Sequence, residues 1–199
     1  MSDDFEGTRF NHLDLGQIRD HDRNVGTVFS PLVVSPAPAV VPFEALFLAH
    51  YRSIRELARV ARPGVGVVAV ELGSCLLAGR AWVARRRDRP NVLTIGRHSE
   101  CDPVLEAPEL SLRHVAVVLP RLDRWPAQYA LHELRTTVGV RDAIGRPLEA
   151  ARVEDAGLFR VGPYALFTVA TGMPERWPEL ASDAWSGLAG SVFSRVPAA

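Results

Sequence analysis

Hydrophobic and polar positions change their rhythm twice along the 199-residue chain. Up to about residue 41 no period is sustained: the start is polar and acidic, with Ser2, Asp3 and Asp4, and then proline, valine and alanine dominate. That reads as a flexible arm running into an extended Pro-rich linker. From residue 42, Phe43, Leu46, Phe47, His50, Ile54, Leu57 and Val60 recur at helical spacing, with Arg52, Arg55, Glu56 and Arg59 between them. The pattern predicts one amphipathic helix over 42–63, with Pro42 at its first turn and Pro63-Gly64 as its stop. Its apolar stripe either packs on the rest of the domain or meets a partner.

Beyond Gly64 the chain reads as strands. Residues 65–72 are rich in valine, and further candidates lie at 80–86, 92–95, 114–119, 129–134, 139–142, 148–153, 158–161 and 164–170. Arg87-Asp88-Arg89-Pro90 looks like a hairpin turn between the second and third of these. Many short strands separated by Gly, Pro and Asp argue for an antiparallel sandwich. The final stretch holds Trp177, Trp185 and Phe193, with a short helix expected around 178–187. The expected organisation is an arm at 1–41, a helix at 42–63, a β domain at 64–171 and a tail at 172–199.

Composition narrows the function classes. A chain that is 47% hydrophobic and 23% charged is globular. The formal net charge is zero, which removes any broad electrostatic case for nucleic acid. Lysine is absent, so all 23 basic residues are arginine. The run Arg85-Arg86-Arg87-Asp88-Arg89 is expected to be a solvated tip. Cys75 and Cys101 make neither a disulfide framework nor a metal set, which suits a reducing compartment. The start lacks an apolar signal core, and Pro31, Pro36, Pro38 and Pro42 interrupt the uncharged run over 25–43. Prolines at that density break a membrane helix, so no membrane association is expected and the cytoplasm is the default location.

The chemistry concentrates in three short segments. A strand at 92–95 ends in Gly96 and delivers Arg97 to a loop; Ser111 and His114 follow on the next stretch. The guanidinium of arginine is a planar fork of donors suited to phosphate, and serine adds a hydroxyl. Glycine permits close approach of backbone or ligand. His12, Asp14, His21 and Asp22 form a loose group in the arm whose spacing fixes no metal geometry. There is no Gly-x-Ser-x-Gly elbow, P-loop or His-Glu-x-x-His motif, so neither an enzyme, a cofactor nor a metal is expected.

Gly96-Arg97, then Ser111-Leu112-Arg113-His114, then Thr136-Thr137-Val138-Gly139 resembles the signature of the forkhead-associated (FHA) domain: Gly-Arg, Ser-x-x-His and a Thr-Asn-Gly-like turn. Residues 155–162 and 165–169 resemble the closing hairpin of that domain, and the likeness covers roughly 65–171. The resemblance implies an all-β fold, an FHA-type antiparallel β-sandwich with an added N-terminal helix. It implies a phosphothreonine-dependent interaction module in Ser/Thr kinase signalling, docking on a phosphothreonine-containing protein that is a kinase or its substrate. By the same resemblance Arg97, Ser111 and Thr137 contact phosphate, Arg113 borders the peptide, and Gly96, His114 and Gly139 are structural.

Two positions depart from the family pattern. Val138 stands where asparagine usually holds the peptide backbone, and Leu112 stands where a polar residue commonly follows the serine. Arg113 and Arg135 are near enough in sequence to compensate in charge. A second expectation is therefore kept: a degenerate FHA scaffold that binds a protein without phosphate. Thr8 in the acidic arm resembles the threonine by which some small FHA regulators fold back on themselves.

Overall fold

The computed structural model describes residues 42–86, 91–120 and 128–188. The arm, with Thr8 and its His/Asp group, lies outside these residues, as do Arg87-Asp88-Arg89-Pro90 and Phe193. Among the described residues no helix is long and apolar enough to cross a membrane.

The architecture is all-β, two antiparallel sheets with an added N-terminal helix. The first sheet has six strands in the order β2 (Leu77–Ala84), β1 (Gly64–Glu71), β10 (Tyr164–Thr171), β9 (Ala156–Val161), β6 (Val140–Asp142), β7 (Pro147–Leu148). The second has four, in the order β3 (Asn91–Ile95), β4 (Val115–Leu119), β5 (Tyr129–Glu133), β8 (Ala150–Val153). Alternation explains the layering. On β1, Val65, Val67 and Ala69 point into the core between the sheets, while Val68 and Val70 point the other way. β10 is buried on both faces along its whole length. It sits centrally, paired with β1 and β9.

The second face of that sheet is covered by α1 (Phe43–Ala58). Phe43, Leu46, Phe47, Tyr51, Ile54 and Ala58 are buried against Val68, Val70, Leu158, Phe167 and Val169. The apolar stripe therefore packs on the sandwich. The close seat needs Gly66, where a Cβ would come within 2.9 Å of the Leu57 Cβ. Helix α2 (Ala181–Leu188) completes this outer layer, with Trp185 tilted on Phe47 at 5.3 Å between ring centroids. The Tyr51 hydroxyl donates to the Pro178 carbonyl at 2.6 Å and ties the two segments together.

Several expectations need correcting. The helix ends at Ala58, short of Pro63, because the Val60 carbonyl is taken by the Gly172 N–H at 2.9 Å and Gly64 already belongs to β1. The strands flanking 87–90 are not a hairpin: β2 pairs with β1 and β3 with β4, so the chain there passes from one sheet to the other. Arg85 is accordingly not a solvated tip residue. It is buried, and it donates from Nε to the Pro120 carbonyl at 2.9 Å and from Nη2 to the Gln128 carbonyl at 3.4 Å. The single strand expected at 148–153 is two, β7 in the larger sheet and β8 in the smaller.

Candidate functional site

Pairing register brings the three motif segments to one end of the smaller sheet. Ile95 at the end of β3 pairs with Val115 at the start of β4, and Val115 pairs with Glu133 at the end of β5. Gly96-Arg97, His114 and Leu134 consequently emerge side by side. The chain leaving β5 then crosses to β6 in the other sheet, which closes that end of the sandwich.

The long connection from Gly96 to His114 is pinned by its own apolar residues. Leu105 and Leu110 are buried in the inter-sheet core. The Leu105 N–H donates to the Gly96 carbonyl, the Arg97 N–H to Ser111 and the His98 N–H to Leu112, at 2.9, 3.2 and 3.0 Å. Gly96 is required by the tightness of this return. A Cβ there would lie 2.4 Å from the Leu112 carbonyl oxygen and 3.0 Å from the Arg113 Cα. The role expected of Gly96 is thus one of backbone contact between the two halves of the loop.

Arg97 is exposed, and its Nε donates to the Leu110 carbonyl at 2.7 Å. That bond fixes the plane of the guanidinium while leaving both terminal nitrogens without a partner among the described residues. No described carboxylate pairs with it either. Ser111 is half-buried with its hydroxyl unpartnered among the described residues. Arg113 is exposed and engaged: its Nη2 lies 3.0 Å from Glu100 Oε2. Thr137 is exposed, and Val138 beside it is half-buried.

His114 is fully buried and ties the segments together. Its Nδ1 accepts the Ser111 N–H at 3.2 Å, so Nε2 carries the proton and faces the Gly139 carbonyl at 3.2 Å and the Thr136 Oγ1 at 2.9 Å. Burial pushes the imidazole below its usual pKa, against the opposing pull of the Gly139 carbonyl and the Glu133 carboxylate. Gly139 occupies the left-handed region, with φ of 69°, which a side chain would strain. Its N–H returns to Thr136 Oγ1 at 3.2 Å.

Two residues of this network are not among the site residues expected from sequence. Thr136 turns inward and accepts from both His114 and Gly139. Glu133 accepts the backbone N–H groups of Arg135, at 2.8 Å, and of Thr136. Burial pushes the Glu133 carboxyl up, but the Thr136 hydroxyl and these N–H groups outweigh it and hold the carboxyl below the usual range. The neighbouring β6–β7 turn is braced similarly. Asp142 Oδ1 accepts from the Ile144 and Arg146 N–H groups at 3.0 and 2.8 Å, and Oδ2 lies 2.7 Å from the Arg146 Nε.

The arrangement offers a guanidinium fork oriented by the Leu110 carbonyl and the hydroxyls of Ser111 and Thr137, which have no partner among the described residues, on loops whose backbones are tied down. That is a donor set for a tetrahedral oxyanion. Among the described residues no group of three His, Cys, Asp or Glu is placed to hold a metal. Clefts of about 590 and about 300 Å³ lie elsewhere, lined by the C-terminal segment and by α1, and include none of these loop residues.

No family model and no curated protein matches the chain. Solved structures of FHA domains do. FHA-1 of Mycobacterium tuberculosis Rv1747 is 18% identical over 55% of this chain and 98% of its own length, with a TM-score of 0.41. The FHA domain of the CT664 protein from Chlamydia trachomatis is 14% identical over 52% and 96%, with a TM-score of 0.40. The yeast Dun1 FHA domain, in complex with a doubly phosphorylated peptide, is 17% identical over 56% and 77%, with a TM-score of 0.39. This chain is similar to these FHA domains.

Proposed function

We propose that this protein is a phosphothreonine-dependent interaction module, docking on a partner phosphorylated by a Ser/Thr kinase. The observation that carries the reading is Arg97: exposed, oriented by its bond to the Leu110 carbonyl, and with both terminal nitrogens free among the described residues. Phosphate brings roughly −1.5 to −2 charges and three strong acceptor oxygens to such a fork. Ser111 and Thr137 supply hydroxyl donors from the two adjoining loops. Gly96, His114 and Gly139 hold those loops in place and do not touch ligand. Arg113 borders the peptide and must loosen its ion pair with Glu100 to contact it directly.

The test is fluorescence anisotropy of the full chain against a degenerate phosphothreonine peptide pool, beside the unphosphorylated pool. Loss of one charge-assisted hydrogen bond costs roughly 1.5–3 kcal/mol, so Arg97→Ala is expected to weaken binding at least about tenfold. A second reading, binding without phosphate, is favoured by Val138, whose side chain cannot hydrogen-bond a peptide backbone. Equal affinity for the two pools, unchanged by Arg97→Ala, would refute the first reading in favour of the second.

A further inference from the structure

The solvent face of α1 carries a charge pattern that neither the sandwich nor the phosphate site uses. Arg52, Arg55, Glu56 and Arg59 fall at i, i+3, i+4 and i+7 and so share one side of the helix. Arg62 follows in the turn after it. From the neighbouring edge strand β2, Arg80 reaches Glu56 at 2.8 Å, and Arg52 meets the same carboxylate at 3.2 Å. Arg55 Nη2 lies 3.2 Å from Glu179. Arg52, Arg55 and Arg80 thus meet two carboxylates, and Arg59 adds a fourth guanidinium to the same cleft, on a chain whose formal net charge is zero.

Two features of this patch are unsatisfied. Arg59 and Arg62 are exposed, and their guanidinium groups have no partner among the described residues. Arg55 Nε is buried without an acceptor. It belongs to a residue lining a cleft of about 300 Å³ formed with Tyr51, Arg52, Glu56, Arg59 and Glu179. A buried donor left without a partner is costly, and such groups in native structures call for an acceptor.

We propose that this face of α1 is a docking site for an acidic, Asp/Glu-rich segment of a partner protein. Its carboxylates pair with Arg59 and Arg62 at the rim, and one displaces Glu179 from Arg55, freeing that side chain to turn its Nε, closed off in this structure, toward the new acceptor. Charge complementarity selects this occupant over the alternatives. A membrane surface would need an apolar face to insert, and that face of α1 is buried on the sandwich. A nucleic acid would need more neutralising charge and a stacking ring, whereas Phe43, Phe47 and Tyr51 on this helix are all buried.

The experiment is an NMR titration of the full chain, following the arginine Nε–H signals as a short poly-glutamate peptide is added. A saturable shift of the Arg55 signal is expected. The double reversal Arg59→Glu with Arg62→Glu, both on exposed side chains, should weaken binding about tenfold. Arg97→Ala should leave it unchanged, which separates this site from the phosphate loops. The proposal fails if the Arg55 signal stays fixed up to millimolar peptide, if the double reversal has no effect, or if Arg97→Ala abolishes the shift. Flotation with phosphatidylserine-containing vesicles in the absence of peptide binding would also overturn it.

Discussion

Replacing His114 with alanine removes the group that joins the β3–β4 and β5–β6 connections, and the structure allows its cost to be worked out. The ring accepts one N–H, from Ser111, and its own Nε2–H is directed at the Gly139 carbonyl and the Thr136 hydroxyl. Three polar groups on two loops lose a partner together, and of these the Thr136 hydroxyl keeps its bond with the Gly139 N–H. Each net hydrogen bond contributes about 0.5–1.5 kcal/mol, and each buried group left unpaired costs about 1–3. Water entering from the loop end would recover part of that, so the expected loss is about 2–4 kcal/mol. Urea unfolding at pH 8 measures it, with an unchanged slope as evidence that the denatured state is not altered. A loss below about 1 kcal/mol would show that the ring does not brace the loops.

The same side chain sets a pH dependence of definite sign. Its folded-state pKa is depressed, first by burial, so the neutral ring is the folded form. The stability this provides is complete above the unfolded value near 6.5 and is lost as pH falls through the lower folded value. Protonation also places a hydrogen on Nδ1, facing the Ser111 N–H that it had accepted. Between pH 8 and 5 the wild-type midpoint in urea should fall more steeply than that of His114→Gln, which has no proton to gain. Parallel curves for the two proteins would refute the assignment of His114 as a neutral brace.

Three further substitutions test other parts of the molecule. Gly96→Ala puts a Cβ 2.4 Å from the Leu112 carbonyl oxygen, and displacing that backbone should cost roughly 1–3 kcal/mol and weaken phosphopeptide binding, read by thermal denaturation and anisotropy. Phe47→Ala opens the layer where α1 meets Phe167 and Trp185, and a loss of about 3–5 kcal/mol in urea unfolding is expected. Arg85→Ala removes the donor to the Pro120 and Gln128 carbonyls at the β4–β5 end and should cost about 1.5–3 kcal/mol, whereas a solvated arginine would cost almost nothing.

How far the fold can be read from sequence depends on whether a signal is local. The period that marks α1 is local, and Phe43, Leu46, Phe47 and Ile54 are buried as the pattern requires. Strand positions are also local, and most of them hold. Which sheet a strand joins is not. β2 and β3 flank a stretch with every mark of a hairpin turn, yet pair with β1 and β4. No property of residues 87–90 reports that choice, because it is decided by partners tens of residues away. Arg85 shows the same limit. An arginine followed by four more charged residues reads as solvated, and only the tertiary position of the Pro120 and Gln128 carbonyls draws it inside.

At the site the difficulty narrows to one peptide unit. Thr136 and Thr137 are adjacent and chemically identical, and the motif spacing singles out only the second. The structure separates their tasks: Thr136 turns in to His114 and Gly139, and Thr137 is left exposed. The cause is the backbone just before them. Arg135 adopts a left-handed conformation, with φ of 55°, and so breaks the alternation that β5 would have continued. A non-glycine residue in that region is costly unless neighbours hold it, and Glu133 does so by accepting the N–H groups of Arg135 and Thr136. Val138 is then less damaging than its sequence position suggests. The loop is held by Glu133, Thr136 and Gly139 without any side-chain bond from residue 138, so the valine leaves the scaffold of the loop in place, and under the proposed function it costs only a contact to the peptide.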